Sequence, residues 1–226
     1  MMKVVVTGAS GALGRAVVDR LVRAGDRVAC VDRVIDSGQT HADPSLHWFV
    51  TDDLAEPGQA TETLKKASGW LGGLDSLVHL VGAFDWRLVE QSNQEDWRAL
   101  YRANVETAVA TTKAGIGFLE KEGAIVLIGA ASAEPASGGM APYAAAKSAI
   151  ARLTEALAAE FAPRKIRVNA LLPSIIDTPR NRRDMPDANF NEWTSTAALA
   201  DAIHFLASPA SRALNGAKVE AINGGV

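Results

Sequence analysis

The chain has one cysteine, two tyrosines and no long uninterrupted apolar run in its 226 residues. A single thiol, Cys30, excludes an internal disulfide framework and fits a reducing compartment, with Cys30 read as a small core residue in a strand. No apolar stretch approaches the ~18 residues that a membrane span needs. Charge of one sign is also missing: 23 basic residues face 26 acidic ones, a net of −3. That balance argues against nucleic acid or an anionic membrane as the partner. The four histidines show no metal-like spacing, so no metal site is expected. Met1-Met2-Lys3-Val4 passes at once into a strand pattern, which leaves no stretch for a signal peptide, and a cytoplasmic location is the expectation.

What is present is an ordinary globular balance, 48% hydrophobic and 22% charged, enough for a sizeable core in one α/β domain spanning residues 1–226. Short β-branched runs alternate with helical stretches. Lys3–Val6, Arg27–Val31, Leu46–Val50, Asp75–Val81, Ala124–Ile128, Ile166–Leu172 and Ala217–Ala221 read as strands. Ala12–Ala24, Gln59–Ser68, Glu95 to about Glu120, Pro142–Phe161 and Thr196–Ala207 read as helices. The strands are apolar throughout rather than alternating, which predicts a mostly parallel sheet covered on both faces: a three-layer, doubly wound Rossmann fold. Residues 173–194 form the one long irregular stretch, and such loops in compact domains are usually functional.

Two motifs carry chemistry. Gly8, Gly11 and Gly14 follow the first strand and open the first helix. They allow a tight turn whose N–H groups approach a pyrophosphate at the positive end of the helix. Asp32 closes the second strand about 20 residues on, where it can accept bonds from ribose hydroxyls. Asp32 would repel a 2′-phosphate and argues for NAD, whereas Arg33 could pair with that phosphate and argues for NADP. No basic residue lies between Gly8 and Gly14, so NAD is favoured.

The second motif is Tyr143 and Lys147, four residues apart on one face of a helix. An ammonium beside a phenol favours the phenolate, so Tyr143 is expected to exchange a proton near neutral pH. Phe84 and Trp86, just past the fourth strand, could stack on a flat ring or simply pack their loop. Arg180, Arg182 and Arg183 could meet an anion or be solvated. His79 reads as a packed strand residue.

Over essentially its whole length the chain resembles the short-chain dehydrogenase/reductase family. The resemblance rests on Gly8/Gly11/Gly14, Asp53, Asn104, Tyr143/Lys147, the run Arg167-Val168-Asn169-Ala170-Leu171-Leu172-Pro173 and the terminal Asn223-Gly224-Gly225. It implies an NAD(P)-dependent oxidoreductase acting on a small molecule, with Tyr143 as acid/base, Lys147 holding the nicotinamide ribose and Asn104 positioning a relay water. It implies cofactor contacts from the loop residues Gly8, Ser10, Gly11, Ala12, Leu13 and Gly14, and from Asp32, Arg33, Asp53 and Leu54. Val81, Gly82, Tyr143, Lys147, Pro173, Ile176 and Thr178 complete that set.

The family's usual Ser, thirteen residues before the Tyr, is here Ala130, and the nearest hydroxyl is Ser132. Ala12 stands where the second loop glycine belongs, and His79-Leu80-Val81-Gly82 replaces Asn-Asn-Ala-Gly. Within the family the Gly11-Ala12-Leu13-Gly14 loop, Ala130 and residues 177–194 are similar to dihydropteridine reductase. The alternative to catalysis is a non-catalytic module that senses NAD(H). The resemblance further implies a homodimer or homotetramer through the helices 95–120 and 142–161.

Overall fold

The computed structural model describes residues 1–35 and 43–222; the terminal Asn223-Gly224-Gly225 lies outside them. In chain order the elements begin with β1 (Lys3–Thr7), α1 (Ala12–Arg23), β2 (Arg27–Asp32), β3 (Leu46–Val50), α2 (Pro57–Leu71) and β4 (Leu74–His79). Then come α3 (Gln94–Tyr101), a π-helical turn (Arg102–Glu106), α4 (Thr107–Gly115), β5 (Leu119–Ile128) and α5 (Ala141–Phe161). The chain continues with β6 (Arg167–Pro173), β7 (Ile176–Asp177), α6 (Pro179–Asp184), β8 (Thr194–Ser195), α7 (Thr196–Ala207) and β9 (Lys218–Ala221).

Seven strands form one sheet in the order β3-β2-β1-β4-β5-β6-β9, every neighbouring pair parallel. Successive side chains of a strand point to opposite faces. Val5, Ala29, Val31, Leu77, Ile125 and Val168 pack with Leu64 and Leu71 of α2, Ala108 of α4 and Ile150 of α5. Val4, Val6, Val28, Cys30, Val78 and Val126 pack on the other face with Val17 and Leu21 of α1 and Leu199 and Ile203 of α7. Both faces being covered is why the strands read as apolar without alternation. The expected doubly wound Rossmann architecture is the one observed.

The helical pattern expected from Glu95 to about Glu120 is not one helix. It breaks at the π-helical turn and ends at Gly115, and Leu119 already belongs to β5, pairing with Leu74. Gly115 marks the crossing, since an added Cβ would sit 2.9 Å from Leu77 Cδ2. Residues 173–194 are also more ordered than an irregular loop. Ile176 and Asp177 pair in parallel with Thr194 and Ser195, and α6 lies between them.

Candidate active site

In a doubly wound sheet the ligand crevice opens beyond the strand carboxyl ends, where the winding reverses. That point here is between β1 and β4, paired from Val4↔Ser76 to Thr7↔His79. Gly8 follows β1 with φ +75°, and an added Cβ would lie 3.0 Å from the Leu80 carbonyl carbon and the Val81 nitrogen. Gly14 is tighter still: a Cβ there would meet Gly8 O at 2.2 Å and Ala9 C at 2.7 Å. These two glycines let α1 and the end of β4 close on one loop. Gly11 is the N-cap of α1, makes no side-chain cap bond, and no acid stands in the first turn. Gly11 and Ala12 are exposed and Leu13 is half-buried. The helix start therefore presents free N–H groups and its positive end to an anion.

Asp32, at the end of β2, binds the same loop. One carboxylate oxygen accepts from Ser10 N at 2.9 Å and Ser10 Oγ at 2.7 Å; the other accepts from Arg33 N at 2.7 Å. Arg33 itself is exposed. Past β3, Asp53 accepts from Ala55 N at 2.8 Å and from Arg102 Nη2 at 2.7 Å. Burial pushes its carboxyl up, but those two bonds hold it below the usual range. Leu54 is buried in the core on the α2 side.

On the other wall, α5 presents Tyr143 and Lys147. The Lys147 ammonium is buried and donates to Ile128 O at 2.9 Å. The π turn carries Asn104, also buried, whose Nδ2 donates to Ala83 O and Leu100 O, both at 2.9 Å. Asn104 and Lys147 converge on Gly82. A Cβ added to Gly82 would lie 2.7 Å from Asn104 Oδ1 and 3.3 Å from Lys147 Nζ. Three segments that are distant in sequence thus meet at the mouth of the glycine loop.

The electrostatics differ from the simple expectation for Tyr143. Burial pushes its phenol up to about 12 and the Lys147 ammonium down to about 8. Lys147 Nζ is 5.9 Å from the Tyr143 ring centroid, and desolvation outweighs the pull of that charge. Tyr143 is accordingly a protonated donor at neutral pH, not a phenolate.

Tyr143 packs against Ala130, Ala133 and Ala144, and Phe84 meets its ring edge-on with centroids 4.9 Å apart. Ala130–Ala133 is a turn closed by Ala133 N donating to Ala130 O at 3.2 Å, with Ser132 half-buried inside it. Ala131 N donates to the O of the buried Pro173 at 3.0 Å, which ties this turn to β6. Beyond β6, the Ile176 side chain packs on the α1/α7 core, and Thr178 Oγ1 accepts from Asn181 N at 3.1 Å to cap α6. Arg182 is held within its own segment. It grips Asp177 with two bonds of 2.6 and 2.7 Å and lies over the Phe190 ring at 4.7 Å.

Comparison with known proteins identifies the family. The short chain dehydrogenase family model matches residues 2–189. The chain belongs to that family. As a short chain dehydrogenase it is an NAD(P)-dependent oxidoreductase. It is 29% identical to 3-oxoacyl-(acyl-carrier-protein) reductase FabG of Escherichia coli K12 over 98% of this chain and 95% of the relative. It is 29% identical to 2-(R)-hydroxypropyl-CoM dehydrogenase of Xanthobacter autotrophicus, with 94% of each chain covered. The solved short-chain dehydrogenase/reductase (glucose/ribitol dehydrogenase) of Brucella melitensis superposes with a TM-score of 0.86. That pair shares 25% identity over 99% of this chain and 95% of the other. Among the described residues, no helix is long and apolar enough to cross a membrane, and no cluster of His, Cys, Asp and Glu could hold a metal.

Sequence reasoning missed three features. Arg102 bridges Asp53, Glu56 and Glu106 at 2.7, 2.6 and 3.1 Å, which fastens the π turn to the loop after β3. The Trp86 indole donates to Gly138 O at 3.2 Å and occupies the notch where Gly139 lacks a side chain; a Cβ there would meet Trp86 Cε2 at 2.2 Å. The Gly138-Gly139 pair was the available signal for this close approach. His79 is buried as expected, but it also carries a hydrogen-bond chain that no local pattern announces.

Proposed function

We propose that the protein reduces a small polar acceptor with NADH, Tyr143 supplying the proton. The observation that carries this reading is the convergence of Lys147 and Asn104 on Gly82, beside a helix start built for a pyrophosphate. The loop fits such a cofactor, because its first-turn N–H groups are open and Gly8 and Gly14 keep the backbone bare. The residues that would hold it are Gly8, Ser10, Gly11, Ala12, Leu13, Gly14, Asp32, Val81, Gly82 and Lys147, with Pro173, Ile176 and Thr178 from the end of β6 and the segment after it. Bound there, NADH supplies a hydride. The Tyr143 O–H bond breaks as a new O–H or N–H bond forms on the acceptor. The Lys147 ammonium, fixed by Ile128 O, stabilises the phenolate left behind and favours its reprotonation. Asn104 holds Ala83 in place through both its backbone N–H and its carbonyl and supplies the polar atom next to Lys147.

Asp32 supports NADH over NADPH. Its carboxylate is fixed by Ser10 and Arg33 N where a 2′-phosphate would add a like charge. Fluorescence titration is expected to give NADH at least about tenfold tighter binding than NADPH, about 1.4 kcal/mol. Tighter NADPH would transfer the specificity to Arg33.

The wall around Tyr143 supports an acceptor that needs little polarisation. Ala130, Ala133 and Ala144 provide no hydroxyl at the position of the family's Ser. A conjugated C=N, as in a quinonoid dihydropterin, meets that condition, and the exposed rings of Phe84 and Trp86 suit a flat acceptor. A simple carbonyl compound is the second reading. It is favoured by Ser132 in the adjacent turn and by the 3-oxoacyl and 2-hydroxypropyl substrates in the relatives' names. The test compares kcat/KM for quinonoid dihydropterin and ethyl acetoacetate. Ala130→Ser is expected to raise the keto ester's share, while Ser132→Ala leaves both acceptors within about twofold. Collapse of activity in Ser132→Ala would make Ser132 the missing polarising group.

The outer face of α4 and α5 supports a homodimer, or a tetramer built from dimers. Val105 of the π turn, Ala108 and Thr112 of α4 and Ile150 of α5 are buried within the chain. Val109 remains exposed, beside grooves of about 650 and 280 Å³ lined by Tyr101, Ile116, Phe118, Leu153, Leu157 and Phe161. Two-fold pairing would bury that apolar area. Light scattering is expected to give two or four times the 23.8 kDa chain mass; a monomer at micromolar concentration contradicts this assembly.

A further inference from the structure

Four hydrogen-bonding groups run in a line beneath the candidate site. Thr7, the last residue of β1, places its hydroxyl 2.8 Å from His79 Nδ1. The other ring nitrogen, Nε2, lies 3.2 Å from Thr107 Oγ1. Thr107 in turn donates to Ala103 O at 2.8 Å, and Ala103 sits inside the π turn, next to Asn104. Thr7, His79 and Thr107 are all buried.

The direction of each bond follows from what each atom can do. A carbonyl oxygen only accepts, so the Thr107 hydroxyl spends its proton on Ala103. Thr107 Oγ1 must then accept from His79, which puts the ring proton on Nε2. Nδ1 is left as an acceptor for the Thr7 hydroxyl. The neutral ring satisfies both ends of the line, and a second ring proton would be a buried charge with no acid hydrogen-bonded to it. Burial, and then the nearby Lys147 ammonium, push His79 down to about 3, which agrees with this assignment.

We propose that His79 is a positioning residue: as a neutral Nε2–H imidazole it ties the end of β1, where the glycine loop begins, to the π turn that carries Asn104. Gly8 follows Thr7 directly, and Gly82 lies three residues past His79 against Asn104 and Lys147. One ring thus sets the spacing between the cofactor loop and the polar atoms that meet at Gly82. The inference rests on the reductase reading given above, but part of its test does not need an acceptor.

The test uses the full chain with NADH and quinonoid dihydropterin. His79→Leu removes both bonds with little change in volume and is expected to lower kcat about tenfold. In an Asn104→Ala background the same change should cost less than about twofold, because the element it positions is already lost. His79→Gln, whose amide can both accept and donate, should recover most of the activity. If His79→Leu fails to fold, Thr107→Val breaks the same line at its far end and takes its place in the cycle. Independently, nitrogen-15 spectra of the histidine rings in the NADH-loaded protein should show His79 protonated at Nε2 alone near neutral pH. Equal tenfold losses in both backgrounds, no loss in either, or a ring protonated at Nδ1 would each overturn the proposal. Absence of any turnover together with the Nε2–H ring would instead count against the reductase reading and leave the hydrogen-bond assignment standing.

Discussion

Tyr143→Phe is expected to lower turnover by about 100-fold or more while leaving NADH affinity within about twofold of the native protein. The substitution deletes one oxygen and keeps the ring. Its edge contact with Phe84 and its packing on Ala130, Ala133 and Ala144 survive, so the fold and the cofactor loop have no reason to change. What disappears is the one phenol that burial holds protonated, at about 12, next to the buried ammonium. A mutant that keeps near-native kcat with its true acceptor would mean that the proton comes from elsewhere, with Ser132 and bound water as the candidates. Parallel loss of NADH binding would mean that Tyr143 acts on the cofactor and not on the acceptor.

Gly14→Ala is expected to be the most damaging single-methyl change in the cofactor half. The added carbon would lie 2.2 Å from Gly8 O and 2.7 Å from Ala9 C. Both are backbone atoms, so no rotamer relieves the contact and α1 must move off the loop. Overpacking of this kind costs about 1–3 kcal/mol, which lowers Tm by roughly 2–4 °C per kcal/mol in a chain of this size. NADH binding should weaken by at least about tenfold, because the shifted helix no longer aims its first-turn N–H groups at the pyrophosphate. Gly11→Ala is the internal control. Its φ of −67° suits any residue, and its Cβ would come no nearer than 3.4 Å to Gly8 O. Thermal melts and NADH titrations of both variants check the contrast; equal damage from the two would mean that the loop is constrained by something other than the Gly14 contact.

The difference between these glycines was only half legible in the sequence. Spacing after the first strand announced a phosphate loop, because tight turns and helix starts are local events. Which glycine is irreplaceable depends on how α1 returns over Gly8, and that is a packing fact. Tyr143 and Lys147 were legible for the same local reason, since a four-residue spacing on a helix fixes their shared face. Their proton affinities were not, because burial by Ala130, Ala133 and Phe84, drawn from other segments, outweighs the local charge.

Asn104 stood out as a residue, whereas the π turn that aims it at Gly82 did not. Nor did the end of that helical region show: Leu119-Glu120-Lys121-Glu122 has helical composition, yet pairing of Leu119 with Leu74 makes it strand. The short β7–β8 pair inside residues 173–194 is too brief for any period to register. The links Arg102–Asp53, Trp86–Gly139 and His79–Thr107 join residues far apart in the chain, where pattern reading has no purchase.

In the function proposed above, this chain catalyses reduction by NADH and does not merely sense the nucleotide. NADH consumption followed by absorbance, with the native protein and quinonoid dihydropterin or ethyl acetoacetate, tests it most directly. Consumption is expected to require an acceptor and to fall by about 100-fold or more in Tyr143→Phe. Tight NADH binding with no acceptor-dependent consumption by the native protein would contradict it and leave a nucleotide-sensing module in its place.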